Sequence, residues 1–461
     1  GTSLDAEVIT GLLDPIGYMD ALPRVPVAAF TAGGGGPVIV RTPGAGDTIF
    51  ALGPASTQTV LGQPAAFHSA RIEGPRESRS FFRLTSGLFS MNDGKHLAQR
   101  RLIQPAFSKK RLEGYRDDMV AITARTLDRM VVGGRIDLLA AMQQLTLEIA
   151  NKALFGRDSA PGVHNIGSMI EDVTALALNP LTMIPLNLPL TPRRRLIDLA
   201  ARVEASLRAQ VAVKREAGGH GDDVLSALLR SRDEDGTTLT EDELIGQLFL
   251  LFFAGHDTTR TALAWTLFLL AQHPAVLADV LDELHGVLGR DAPSVAQLGR
   301  LPLLERVLKE SMRLFPPAPL TGRITVTPVM LGGREFRAGT EVILSFYHSH
   351  RDPDLYPEPL RFRPARWESF SPGPHEYVPF GGGVRMCIGA GFAMMEAKIV
   401  LAMLLQRFCF ALDPAGRFDR KCSVVLSLRH GLPVLLGAQD RVVRARTVVR
   451  GDVHEMVDLR G

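Results

Sequence analysis

A chain of 461 residues that is 46% apolar and 22% charged has the balance of a folded protein, which excludes a disordered or fibrous one. Its 52 Lys and Arg stand against 49 Asp and Glu, and a net charge of +3 gives no electrostatic case for nucleic acid as the main partner. The three cysteines, Cys387, Cys409 and Cys422, are too few and odd in number for a disulfide framework, so a reducing, cytoplasmic compartment is expected.

No run of 18 apolar residues occurs, and the first thirty residues lack the basic-then-apolar order of a signal peptide, so no membrane span is expected. The chain begins Gly-Thr rather than Met, which leaves open an anchor or leader removed upstream.

In chain order, Gly33 to Gly36 come first. With no Gly-Lys-Ser/Thr and no GxGxxG opening a helix, they read as linker rather than phosphate loop. "PVIV" (Pro37 to Val40) and "TIFAL" (Thr48 to Leu52) flank "TPGAGD" and read as a hairpin in a small N-terminal sheet. From Gly94 onward helical periodicity dominates, through Leu97 to Phe107, Met119 to Val131 and Leu138 to Leu154. A polar stretch with turns at Gly218-Gly219 and Asp235-Gly236 then ends in a capping box, Thr240 followed three places later by Glu243. That box predicts a long helix from about Asp242 to Gln272, closed by His273-Pro274. Residues 322–346 alternate β-branched residues with Gly turns and read as a second small sheet. With no repeat and no separating linker, the whole chain, 1–461, reads as one domain, mainly α with small peripheral β-sheets.

The densest chemical signal is "FGGGVRMCIGAGFA", Phe380 to Ala393, where glycines bracket a lone Cys just before an apolar helical run. Glycines allow tight turns and close approach to a flat partner, and a helix start aims N–H groups and the positive dipole end at the sulfur. A thiolate stabilised in this way is an iron ligand in waiting. A lone Cys is more often a small core residue, which is the reading for Cys409 and Cys422.

These residues resemble the haem-binding loop of the cytochrome P450 family: Phe380, Gly383, Arg385, Cys387 and Gly389 meet the pattern F-x-x-G-x-R-x-C-x-G. The resemblance implies a haem b held between a long central helix and the Cys loop. Cys387 would be the axial thiolate that favours O–O cleavage, Phe380 would pack beside the sulfur, and Arg385 would pair with a propionate.

"AGHDTT" in the long helix resembles the family's oxygen groove. Ala254 and Gly255 would border it, Thr258 would orient dioxygen and Asp257 would feed protons through water, with His256 incidental. A mid-helix Gly costs ~1 kcal/mol against Ala and a Thr that bonds back bends a helix, so a plain structural kink is the alternative.

"ESMRL" and "PARW" resemble the family's structural triad, here Glu310, Arg313 and Arg366, with bidentate pairing and no contact with substrate implied. His96 and Arg100, four apart on a predicted helix, would be a solvated face taken alone; in the family's frame they hold propionates, as does Arg323.

The resemblance runs from about Pro37 to Leu436. Residues 1–36 are then an N-terminal extension and 441–461 a C-terminal extension without an assigned role. It implies a monooxygenase of secondary metabolism that inserts one atom of O2 into an apolar small molecule by hydroxylation or epoxidation. Electrons would come from NAD(P)H through a separate ferredoxin- or flavodoxin-type partner and its reductase. A peroxygenase or isomerase would be expected to lack the acid and alcohol at 257 and 258, and a haem sensor would show no turnover. The substrate pocket is expected from Arg71 to Phe89, Ala175 to Leu190, Phe252 to Ala254, Pro316 to Leu320 and Leu426 to His430.

Overall fold

The structure is a computed structural model that describes residues 38–42, 46–70, 72–156, 164–442 and 444–459. Gly33 to Gly36 and Arg71 lie outside the described residues. In chain order the first elements are strands β1 (Val38–Thr42) and β2 (Gly46–Ala51), helix α1 (Gly53–Gly62), strand β3 (Phe67–His68) and helices α2 (Arg79–Leu84), α3 (Asp93–Ile103) and α4 (Lys109–Asp128). Strand β4 (Arg135–Asp137) leads into helices α5 (Leu138–Phe155), α6 (His164–Ala177), α7 (Pro192–Glu216) and α8 (Val224–Arg230). The long helix α9 (Glu241–Gln272) follows, then α10 (Pro274–Leu288), α11 (Val295–Leu298) and α12 (Pro302–Leu314). Four strands come next, β5 (Leu320–Thr325), β6 (Val329–Leu331), β7 (Arg334–Phe336) and β8 (Glu341–Ser345), then α13 (Phe346–Ser349). After the Cys loop come α14 (Ala390–Arg407), β9 (Phe408–Leu412), β10 (Arg420–Cys422), β11 (Leu426–Leu428), β12 (Pro433–Ala438) and α15 (Val453–Met456).

The expected N-terminal hairpin forms, with Val38 opposite Phe50 and Thr42 opposite Gly46. The two separate small sheets expected from the sequence do not. Strand β2 runs parallel to β8, β8 pairs with β5, and β5 pairs with β3, so one five-stranded sheet of order β1-β2-β8-β5-β3 takes strands from both regions. Local alternation marks a strand but carries no information about its partner. Helix α1 was hidden in the same way: its polar, weakly patterned sequence GPASTQTVLG has only Pro54 near its start as a signal.

The capping box is built as its sequence predicts. Glu243 N donates to Thr240 Oγ1 at 3.3 Å and Thr240 N donates to Glu243 Oε2 at 3.1 Å, so α9 starts there. Its second half is enclosed on all sides: Leu263, Trp265, Leu267, Phe268, Leu269 and Leu270 have no exposed surface. Each such side chain contributes about 1.5–3 kcal/mol by leaving water. Trp265 stacks on Phe315 at 3.9 Å and donates its indole N–H to Leu426 O at 2.8 Å, which ties the helix to β11. Among the described residues no single helix is long and apolar enough to cross a membrane, and the one apolar pair, α9 with α10, is bent by 112° at His273 and Pro274.

Candidate active site

Between α9 and the Cys loop lies a cavity of about 390 Å³. The loop is shaped by its glycines. Gly381 and Gly383 have φ of +67° and +61°, and a Cβ at Gly383 would stand 2.8 Å from Leu61 O. Gly383 itself is off the cavity wall; its place is the turn. Cys387 N donates to Phe380 O at 2.8 Å, closing the loop and leaving the sulfur at the cavity wall with Phe380 and Gly389. Crowding by protein pushes the thiol up from its ordinary pKa, while the Gly389 N–H and the Arg100 charge draw it down.

The opposite wall is α9. Ala254, Gly255 and Thr258 line the cavity, and the position a Gly255 side chain would fill is open. Thr258 Oγ1 donates to Ala254 O at 2.8 Å, so the back-bond expected of a helix-bending Thr is present and its oxygen lone pairs are left to accept. Asp257 is not on the cavity wall. It sits behind Thr258, ion-paired with Arg260, and burial raises its pKa against the opposing pull of Arg260 and His256.

His256 is not incidental, contrary to the sequence reading. Its ring has no exposed surface; Nδ1 is 2.8 Å from Phe252 O and Nε2 is 3.1 Å from Glu171 Oε1 on α6. Gln143 on α5 donates to both Glu171 oxygens at 2.7 and 2.8 Å. This polar tie joins three helices beside Asp257, and a pattern that leaves position 256 unrestricted could not mark it. Glu396 on α14 is a second residue the sequence did not mark. Burial pushes its carboxyl well above the usual range, with Thr259 of α9 drawing it the other way.

His96, Arg100, Arg323 and Arg385 all line the cavity, and among the described residues no Asp or Glu does. Arg385 Nη2 donates to Met91 O at 2.5 Å and Asn92 Oδ1 at 2.6 Å, whereas its buried Nη1 has no partner among the described residues. Burial, then the charges of Arg385, Arg100 and Arg323, press the His96 pKa down to about 4, and burial with Arg385 brings Arg323 down to about 10. Such a cluster lacks a counter-charge. A flat ligand with two carboxylates and an iron facing Cys387 supplies it, so the residues present fit a haem.

The triad forms below. Arg313 donates Nε to Glu310 Oε2 and Nη2 to Oε1, both at 2.9 Å, and Arg366 Nε reaches Oε1 at 2.9 Å. Trp367 Nε1 also donates to Oε2 at 2.9 Å. It stands next to Arg366 in "PARW", but the indole had no assigned role in the sequence. Arg313 Nη1 then donates to His350 O at 2.9 Å, and His350 Nε2 accepts from Val378 N at 2.8 Å, two residues before Phe380. The triad thus reaches the Cys loop through His350.

That imidazole must stay neutral to accept. Burial, then Arg313 and Arg351, lower its pKa to about 3. A His depressed in the folded state lets the unfolded chain bind the proton first. Its linkage therefore costs nothing above pH ~6.5 and weakens folding as pH falls from there toward 3, by up to about 1.4 kcal/mol per pH unit. Urea unfolding of the parent should weaken more between pH 7 and 5 than that of His350→Gln. Parallel pH profiles would show that His350 is not the group responsible.

The expected pocket segments are met in part. Leu88 and Phe89 line the cavity, as do Ala254, Pro317, Ala318 and Leu320. The stretch Ala175 to Leu190 contributes nothing, since Leu181, Ile184, Leu188 and Leu190 are exposed on the outside. Residues 426–428 are buried in β11, and the neighbouring Val424 reaches the cavity instead. Cys409 and Cys422 are buried, as expected of small core residues.

A fold of this kind, with a Cys loop facing a Gly-Thr helix across a cation-rimmed cavity, defines a haem-thiolate protein. The sequence model of the cytochrome P450 family matches residues 32–430, and the chain belongs to that family as a monooxygenase. It is 35% identical over 347 residues to cyclooctatin synthase of Streptomyces melanosporofaciens, covering 73% of this chain and 75% of the relative. It is 32% identical over 369 residues to cytokinin hydroxylase of Arabidopsis thaliana, covering 77% and 72%. Its fold matches the solved structure of a retinoic acid-bound cyanobacterial CYP120A1 with a TM-score of 0.82 at 24% identity, over 94% of this chain and 96% of that one.

Proposed function

We propose that the chain is a cytoplasmic monooxygenase of secondary metabolism, a single domain over 1–461, that hydroxylates or epoxidises an apolar small molecule. The observation that carries the reading is the meeting, at one cavity, of the Cys387 sulfur, the Thr258 hydroxyl, three guanidiniums and His96, with no acid on its wall among the described residues. When bound, haem supplies the activation of O2 that amino acids lack. The rest is the work of this chain's residues. Cys387 presents its sulfur to the iron, with Phe380 and the Gly389 N–H holding the loop around it. Arg385, Arg100, Arg323 and His96 take the propionates. Leu88, Phe89, Leu250, Leu251 and Leu308 make an apolar wall that excludes water and orients an apolar substrate. Thr258 orients dioxygen and water, and Asp257 passes protons to that water from behind.

Electrons come from NAD(P)H through a ferredoxin- or flavodoxin-type partner with its reductase. Val384 and Met386, exposed beside Cys387, offer it a landing place. The test is spectroscopic. The purified protein should be red-brown, and its reduced form with CO should show the red-shifted band of thiolate ligation. Cys387→Ser should abolish that band, while Cys409→Ser and Cys422→Ser should keep it. Its survival in Cys387→Ser would overturn the ligand assignment.

A further inference from the structure

The C-terminal tail lies beyond the matched 32–430, yet it is built into the molecule. Val449, Val453, Met456, Val457 and Leu459 are buried in the main core, with Val453 and Met456 fully enclosed. Gln272 Nε2 at the end of α9 donates to Thr447 O at 3.1 Å, Arg351 Nη2 donates to Met456 O at 3.1 Å, and Asp458 N donates to Leu360 O at 2.8 Å. The tail is therefore anchored on both sides of α15.

Between these anchors it meets one further element, the β10–β11 hairpin. That pair is a two-stranded sheet, with Arg420 opposite Leu428 and Cys422 opposite Leu426, and its turn carries Val424 to the cavity wall. The inner strand is fixed by the core, because Leu426 O accepts from Trp265 and Leu426 N donates to Pro317 O at 3.0 Å. The outer strand, β10, has no third strand beside it among the described residues. The tail takes that place. Phe418 N donates to Arg450 O at 2.8 Å, Asp452 N donates to Asp419 Oδ1 at 2.9 Å, and Arg420 N donates to Asp452 Oδ1 at 2.7 Å. Gly451 makes the approach possible: at φ +129°, any Cβ there would stand 2.2 Å from Phe418 O. The edge N–H of Arg420 is thus satisfied by a side chain twenty-two residues past the matched region's end at 430, and the outer arm of the turn is set by it.

We propose that Asp452 is a positioning residue for substrate selection: by bonding the edge of β10 it fixes where Val424 stands in the cavity, and so which ligand shapes are accepted. The argument rests on the haem site proposed above. Asp452 lines neither the cavity nor the Cys loop, and its carboxylate meets Arg420 of β10, at the backbone N–H and, at 3.9 Å, at the guanidinium, so its influence on the cavity runs through β10.

The test uses the full-length, haem-loaded protein and two iron-binding probes read by the shift of the haem band: imidazole, which is small, and clotrimazole, which fills the space above the iron. Asp452→Ala should change the ratio of clotrimazole to imidazole dissociation constants by about tenfold, the scale of a few misplaced methyl contacts. Imidazole affinity and the CO band should stay as in the parent. Asp452→Asn, which keeps the acceptor oxygen for Arg420 N, should restore the parent ratio. In a Val424→Ala background Asp452→Ala should add little, because the two act through the same contact.

An unchanged ratio in Asp452→Ala overturns the proposal, as does a changed ratio that persists undiminished with Val424→Ala. Should Asp452→Ala fail to accumulate, Asp452→Glu, which moves the oxygen by one methylene, takes its place with the same expected and overturning results. A parent protein without the thiolate CO band would instead overturn the haem reading.

Discussion

Replacing Glu310 with alanine is expected to leave almost no haem-loaded protein. The Glu310 carboxylate has no exposed surface and accepts from Arg313 Nε and Nη2, Arg366 Nε, Trp367 Nε1 and the Arg363 backbone N–H. Removing it strands two guanidiniums, one of them fully buried, and breaking a buried pair in this way costs about 3–5 kcal/mol. Total stabilities run only ~5–15 kcal/mol. The loss also spreads, since Arg313 holds the carbonyls of His350, Pro359 and Arg361 in place, and His350 holds the approach to the Cys loop. Glu310→Gln, which keeps the shape and part of the bonding, should retain more haem than Glu310→Ala. Normal haem content per protein in Glu310→Ala would refute the role assigned to the triad.

Thr258→Ala is expected to separate reductant consumption from product formation. The substitution removes a hydroxyl from the cavity wall and its bond to Ala254 O, while the apolar walls and the cation set are untouched. Substrate binding and haem reduction should survive, because neither needs that hydroxyl. Proton placement should not: a positioned proton-transfer group is worth on the order of 10²-fold or more. NAD(P)H should still be consumed, with hydrogen peroxide rising as product per reductant falls. Asp257→Asn should differ by slowing oxygen consumption itself, since in the proposed reading the buried acid behind Thr258 supplies the protons. Measuring NAD(P)H, peroxide and product together distinguishes the two. Full coupling in Thr258→Ala would leave the hydroxyl with its back-bond as its only role.

The parts of the site that the sequence revealed are those written in a few consecutive residues. The Cys loop was legible because a turn that must fold tightly under Leu61 and expose one sulfur can hardly be made without its glycines. The capping box was legible because both of its bonds join residues three apart. What stayed hidden depends on partners distant in sequence. The merging of the two small sheets is a pairing between residues 48–51 and 341–344, and no local pattern encodes a partner. His256 was passed over because its significance lies in Glu171, a residue on another helix. The outward face of 178–190 was misjudged because apolar composition does not say which way side chains turn, and here the chain crosses outside the cavity. The tail was unreadable for the same reason: "RGDVHEM" gains meaning only beside Phe418 and Arg420.

The parallel pairing of β2 with β8 also sets an order of events during synthesis. Thr48 meets Glu341 across 293 residues, which takes a ribosome roughly 15–60 s at 5–20 residues per second. Through that interval the first two strands have no neighbour on that side, while the locally encoded helices α4 to α9 are already free to pack together. Cys387 and Val424 emerge later still. The chain therefore makes helix α3, proposed to hold the propionates, early and the Cys387 sulfur late, so on that proposal thiolate-ligated haem is captured near the end of translation or after release.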